Sequence, residues 1–382
     1  MLLKDCTTIK GGKRLPKGQT LQNIANSHPY IRVKDMRSRY VKLDSTYEYV
    51  PDTVFPLISR YIVKKNDIIL SIVGTVGLVA IVDESLNNAS LTENCVKLIN
   101  IKNYLPQFIY YYLYSEKGQA QISEGIVGST QPKFPLYNIE KLDIPDISYE
   151  KQHYIVDILG TLDDKIENND KIIKELTNLI QLEFEKTYRS NTTEEKMLTD
   201  IFSFQEGPGI RNWQYVDNGV NFINIRCINN GDIDTSSMNK ISENEAFGIY
   251  KHFLLNEWDL VMSMSGTLGR YAIVRKEHLP LCLNTSVIRF YPKEDFSYYS
   301  YMYAYLTSKE FITSITMLAN GSAQQNIGPT HLKKLTIKTP ANEVVHKFHE
   351  KIFPLIQKLV SIRADNQKFQ ELKEYYLKKF FD

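Results

Sequence analysis

The longest regular pattern of apolar and polar positions lies in the middle of the chain. Ile155, Leu159, Leu162, Ile166, Asn169, Ile173, Leu176, Ile180, Glu183 and Thr187 follow one another at alternating steps of four and three. That spacing predicts a helix with the narrow buried seam of a coiled coil. Asp163, Asp164, Lys165, Glu167, Lys171, Lys174 and Glu175 flank it as a solvated face. Such a helix needs a partner to bury its stripe, and the end of the chain offers one. Val345, Phe348, Ile352, Leu355, Leu359, Ile362, Asn366, Phe369, Leu372, Tyr376 and Phe380 form a second stripe, and IENNDKIIKEL (166–176) lies over IRADNQKFQEL (362–372). Each stripe carries an amide at mid-seam, Asn169 and Asn366, which costs stability and fixes register. The pair is expected to form an antiparallel, intramolecular coiled coil. Pro354 removes a helix hydrogen bond and crowds the preceding turn, so a kink or a fresh helix start is expected there, with a second helix shorter than the first.

Outside the helices the pattern is β-rich. Tyr30–Val33, Asp67–Ile72, Gly77–Val82 and Cys95–Ile99 read as strands, and Leu105–Ser115 as a helix after Pro106. Ser190–Glu195 reads as a polar break, and a second domain then repeats the first. NDIILSIVGTVGLVAIV (66–82) lies over EWDLVMSMSGTLGRYAIV (257–274), YIRVKDM (30–36) over FINIRCI (222–228), and GSTQPKF (128–134) over GSAQQNI (321–327). A tandem duplication follows. The fold class is α/β, with duplicated domains at residues 1–147 and 196–340, a central helical spacer at 148–190 and a distal one at 341–382. Antiparallel helices would relate the two units by a pseudo-two-fold axis and separate them by roughly 50 Å, at 1.5 Å per residue.

Composition narrows the class. A chain of 382 residues has room for two ordinary domains plus helices. The net charge of +2 announces no overall basic field, and the 25 tyrosines suit wet, half-exposed surfaces. Cys6, Cys95, Cys227 and Cys282 form no CxxC pair, which favours a reducing, cytoplasmic setting. The start of the chain lacks an apolar signal core, and no uncharged apolar run reaches 18 residues, so a soluble protein without a membrane partner is expected.

Charge then marks candidate chemistry. Lys10, Lys13, Arg14, Lys17, Arg32, Lys34, Arg37, Arg39 and Lys42 stand against Asp35 alone between positions 10 and 42. Such a cluster could meet DNA phosphates by counterion release, and arginine could read guanine edges. A solvated loop face would look the same. The second domain offers Arg211, Trp213, Gln214, Asn224, Arg226, Asn229 and Asn230, although Asn229-Asn230-Gly231 also reads as a turn. Gly74-Thr75-Val76-Gly77 and Gly266-Thr267-Leu268-Gly269 follow a strand in each domain. No Lys-Ser/Thr follows, so neither is a P-loop. They read as tight turns, with Thr75, Thr267 and Arg270 at their tips as DNA contacts in the sharper reading. Ser129, Thr130, Gln131 and Lys133, with Ser322, Gln324, Gln325 and Asn326, form domain-closing loops that could also lie near DNA. For catalysis there is little support. No motif for adenine methylation or for a methyl donor is present, and Asp52, Glu93 and Lys97 have no special spacing. His346 and His349 share a helical face without a third ligand and read as an exposed polar face.

The ordered set of segments, met twice, resembles the specificity subunit of type I restriction–modification enzymes. The openings LLKDCTTIKGGKRLPKG (2–18) and MLTDIFSFQEGPGIRNWQY (197–215) carry the likeness, as do the closing segments 128–163 and 321–340. One departure stands out: where the family shows Glu-Gln at a spacer start, the first spacer has Glu150-Lys151-Gln152 and the second Asn342-Glu343-Val344. The resemblance implies a non-catalytic reader of double-stranded DNA. Each target-recognition domain would read half of a split sequence, and the helices would set its gap and bind two methyltransferase subunits. A translocating nuclease subunit is a further partner the family allows. No cofactor or metal is expected on this chain, S-adenosylmethionine belonging to the methyltransferase partner. A stand-alone DNA-binding regulator is the alternative.

Overall fold

The computed structural model describes residues 1–229, 231–293, 295–319 and 327–382, with only the backbone of 191–193. Two long helices, Tyr149–Asn191 and Asn342–Phe381, form where the stripes predict them. The chain divides into two compact units, Met1–Glu167 with Lys368–Asp382 and Asn168–Gln367. Each unit is one duplicated domain together with a portion of both helices.

The first unit is built on a five-stranded sheet in the order Thr8–Gly11, Cys95–Ile99, Ile68–Ser71, Val79–Val82, Tyr40–Val41. Its pairings are antiparallel except the last, which is parallel. One face packs on the helix Pro106–Tyr114, in which Phe108, Ile109, Tyr110, Tyr111, Tyr112 and Leu113 are all buried, and on Ile155, Leu159, Leu377 and Phe381 of the long helices. The second unit repeats this as Tyr271–Ile273, Leu260–Ser263, Val287–Pro292 and Phe202–Glu206, all antiparallel. The helix Tyr299–Leu306 stands where Pro106–Tyr114 stands in the first unit, and Ile180, Phe184, Phe348, Ile352 and Leu359 complete the core. A second sheet and a hairpin, Ile228–Asn229 with Asp232–Ile233, are added to it. Cys6, Cys95, Cys227 and Cys282 are free and buried.

The helices pair antiparallel within each unit. In the first, Asp163 meets Lys373 at 2.7 Å and Tyr154 lies edge-on to Phe380. In the second, Glu183 meets Lys351 at 2.8 Å, and Asn169 donates to Asn366 at 2.8 Å. Asn366 in turn donates to Asp170 at 2.9 Å, so the mid-seam amides are satisfied.

Several expectations change. The seam swings toward the domains near its ends: Phe184, Ile356, Leu377 and Phe381 are buried, while Leu355, Tyr376 and Phe380 stay half-buried and Leu372 is 42% exposed. An α-helix drifts about 20° per heptad from a strict seven-residue repeat, and the domain cores beside each end take up that drift. Pro354 does not start a new helix. It lies on the exposed side inside Asn342–Phe381, next to exposed Glu350, so the carbonyl it leaves without a donor faces solvent. The second helix is 40 residues against 43. The polar break after Ser190 is instead a strand, Thr192–Met197, paired with Thr336–Pro340. Nor are the two histidines a plain polar face. His346 pairs with Asp295 at 2.9 Å, and His349 bonds Ser300 at 3.0 Å and stacks on Phe353.

Candidate nucleic-acid interface

In the first unit, Gly11 stands opposite Val96 and Ser71 opposite Cys95, so three strands end or begin at one edge of the sheet. The loops leaving that edge are held together by their backbones. Ile72 N–H donates to the Asn94 carbonyl at 2.8 Å, Phe134 N–H to the Ile72 carbonyl at 2.9 Å, and Val73 bridges Lys133. Gly12 presses on the Thr92 carbonyl with no room for a side chain. This gathers Lys13, Arg14, Thr75, Gln131 and Lys133, all exposed, with exposed Lys17 further along the first loop. Thr75 tips a turn closed by Ser71, whose hydroxyl donates to the Thr75 carbonyl at 2.6 Å and accepts from Leu78 N–H at 2.9 Å. Gly74 and Gly77 supply the positive φ that this turn needs, at 82° and 95°. Arg14 donates to Glu93 at 2.6 Å with its side chain 79% exposed, a pairing water largely screens.

Other members of the basic run are spent inside the protein. The Arg32 guanidinium, 17% exposed, pairs with Asp35 at 3.3 Å and with Glu48, and donates to the Thr46 carbonyl at 3.4 Å. Arg39 is buried. It donates to Glu167 at 3.2 Å, to the Tyr111 hydroxyl at 3.2 Å, to the Gly160 carbonyl at 3.4 Å and to Asp164. Both are candidates for DNA contact in the sequence, and in the structure both guanidinium groups are engaged by carboxylates of the fold. The partners of Arg39 were invisible in the sequence because Asp164 and Glu167 lie 125 and 128 residues away, whereas Arg32 is held by the nearby Asp35 and Glu48. Lys34 remains exposed 3.8 Å from Glu48, and exposed Arg37 is pinned by a 2.8 Å bond to the Lys34 carbonyl.

The second unit presents the same edge. Glu206 stands opposite Ile288 and Ser263 opposite Val287. Met264 N–H donates to the Ser286 carbonyl at 3.1 Å and Ile327 N–H to the Met264 carbonyl at 2.8 Å. Thr267 and Arg270 are exposed on a turn closed by Ser263 as the first is by Ser71. Arg211 is exposed, and Trp213 is 79% exposed. Their loop is fixed by Gln214, which accepts from Arg211 N–H at 2.8 Å and donates to Glu245 at 2.8 Å and to Tyr250 at 3.1 Å. Arg226 is exposed. Asn224 is half-buried and its Oδ1 caps a short helical turn by accepting from Arg226 N–H at 2.9 Å, a structural use of a predicted base reader. Asn230, Gln324 and Gln325, with Ser322 and Asn326, lie outside the described residues.

Asp52, Glu93 and Lys97 are not brought together. Asp52 accepts from Asn26, Glu93 from Arg14, and buried Lys97 bonds the Ile62 carbonyl. The sequence pattern missed exposed Thr285, which sits at the second edge between Asn284 and Ser286. It also missed a buried polar cluster, Asp232, Arg275, His278 and Arg363. Spaced over 130 positions, these residues carry no local signal.

The comparisons with known proteins fit this construction. A family profile described as the type I restriction modification DNA specificity domain matches residues 1–178 and again 191–374. The type I restriction enzyme MjaIX specificity subunit of Methanocaldococcus jannaschii is 22% identical over 99% of this chain and 91% of its own length. The EcoBI specificity subunit of Escherichia coli is 23% identical over 36% of this chain and 28% of its own. Among solved structures, the type I restriction–modification S subunit from M. genitalium superposes with a TM-score of 0.62. That match is 16% identical and covers 100% of this chain and 95% of the other. No helix, among the described residues, is long and apolar enough to cross a membrane.

Proposed function

The chain belongs to the type I restriction–modification DNA specificity family, and from that premise we propose that it reads a split DNA target, one half with each domain. The observation that carries this reading is the repeated sheet edge. In each unit a Ser-closed turn and a loop led by a tightly packed glycine, Gly12 in the first and Gly207 in the second, leave the same end of the sheet, but they present different side chains. One frame with two sets of polar tips suits two different half-sites. Lys13, Arg14, Lys17 and Lys133 would meet phosphates, while Gln131, Arg226 and Arg270 have the donor geometry for adenine or guanine edges.

The two long helices would set the gap between half-sites and, with the domain sides, dock two methyltransferase subunits, with a translocating nuclease as a further partner. Chemistry would reside in those partners, which would bring S-adenosylmethionine. This chain would act in the cytoplasm as a reader. Base-resolved methylation mapping in cells with and without the gene tests the proposal. One split motif with a fixed gap should lose its adenine methylation when the gene is removed. An unchanged methylome would leave a regulator acting without a methyltransferase as the better reading.

A further inference from the structure

The two units bind their helices through corresponding positions, with the buried arginine on the domain in one and on the helix in the other. The correspondence is fixed by backbone pairing. Tyr40 pairs in parallel with Ile81 in the first unit, and Gly231 bridges Ala272 in parallel in the second. Both fit one sequence offset, which places Arg39 over Gly231 and Asp83 over Arg275. On the helices, Glu167 falls over Arg363.

At that shared point the first domain supplies the cation and its helix the anions. Arg39 enters between Asp164 and Glu167 and bonds Tyr111 beneath them, and Lys42 adds a second cation 3.7 Å from Glu167. In the second unit the helix supplies the cation. Arg363, buried, donates to the Gly231 carbonyl at 3.0 Å and lies over the Tyr271 ring. Where Arg39 stands in one domain, the other has a glycine, and any side chain there would collide with the Arg363 guanidinium. Beside it Asp232 is held by Arg275 at 2.9 Å, and Arg275 reaches on to Gln367 of the helix at 2.6 Å. Either domain on the other's helix would be wrong. Arg39 would meet Arg363, and the glycine of the second domain would leave Asp164 and Glu167 without their cation.

We propose that this reversed pair is a polarity-coded latch that assigns each recognition domain to its own helix segment and holds its DNA-facing edge in register with that helix. Arg39, Glu167 and Arg363 are thus positioning residues. This rests on the split-target reading only in what the latch positions; the latch itself is a property of the fold. The functional consequence is that gap selectivity and the first half-site depend on Arg39 although it is buried against its helix.

The test uses the full chain in three forms: wild type, Arg39→Glu, and Arg39→Glu combined with Asp164→Arg and Glu167→Arg. Hydrogen–deuterium exchange reads the latch without DNA. Arg39→Glu should speed exchange in residues 158–167 by about a hundredfold or more, as expected when a buried ion pair becomes like-charged, and leave 350–363 unchanged. The triple variant should recover most of that protection. Selection from a random library of 40-base-pair duplexes, with the methyltransferase partner present, reads function. Arg39→Glu should weaken the half-site read by the first domain and broaden the gap distribution while the second half-site persists; the triple variant should restore both. Unchanged exchange in Arg39→Glu, or a triple variant no better than the single one, overturns the latch. So does loss of both half-sites together. If the wild type selects no split motif, the DNA reading fails, and the exchange result alone decides the latch.

Discussion

Lys133 and Arg270 both stand exposed at the sheet edge of their units, yet their chemistry predicts different effects on DNA. A lysine is a compact point charge on a flexible stem, suited to phosphate, whereas a guanidinium can span two acceptors of a guanine. Lys133→Ala should weaken binding to all sequences alike and reduce the salt slope by about one. Its effect is read from binding isotherms at several salt concentrations. His278 predicts a pH effect on the fold instead. Its Nδ1 accepts from the Arg275 amide at 3.1 Å, which leaves the neutral ring's proton on Nε2, 3.4 Å from Asp232. Burial first, and the Arg275 charge second, hold its pKa down at about 4 from 6.5. The folded state therefore binds fewer protons than the unfolded one between those values. The resulting stability is complete above pH 6.5 and is lost as pH falls toward 4, by on the order of 3 kcal/mol. Denaturant midpoints at pH 7.5 and 4.5 should differ less in His278→Gln than in the wild type. An equal difference would mean that other groups dominate.

At the scale of elements, the helices were the most legible part of the sequence because their periodicity runs for about 40 residues. Both stripes, the antiparallel pairing and the Asn169–Asn366 contact follow from it. What periodicity could not show is where a domain core draws the stripe aside, as at Phe184 and Ile356, or that a strand such as Thr192–Met197 gains its order from a partner about 140 residues on. The proposed DNA-facing edge was half legible. Turn glycines and exposed tips were visible, but whether an arginine is free or buried can be decided by carboxylates distant in sequence, as Arg39 shows with Asp164 and Glu167. The helices also yield a prediction. One heptad added near Asn169 and one near Asn366 keeps both seams and lengthens each helix by about 10 Å. At about 3.4 Å per base pair, the gap in the target should grow by up to three base pairs with both half-sites unchanged. An unchanged gap in a well-folded variant would remove the helices as its determinant.

For the whole molecule, duplication is the organising fact. The family profile matches the chain twice, over 1–178 and 191–374, and each match folds on the same frame. A chain with two equivalent frames should take up two methyltransferase subunits. Light scattering at saturating partner should give two per chain, and a stable one-to-one complex would sink that symmetry. The most direct measurement concerns the frames themselves. Gln131→Ala alters the first unit's edge and Arg270→Ala the second's. Each is measured against the target duplex and against duplexes with one half-site scrambled at a time. Each substitution should cost about 1–3 kcal/mol and relax base preference in its own half alone, the two halves being different. If both substitutions change preference within the same half-site, one domain does not read one half, and the proposed division of the target is wrong.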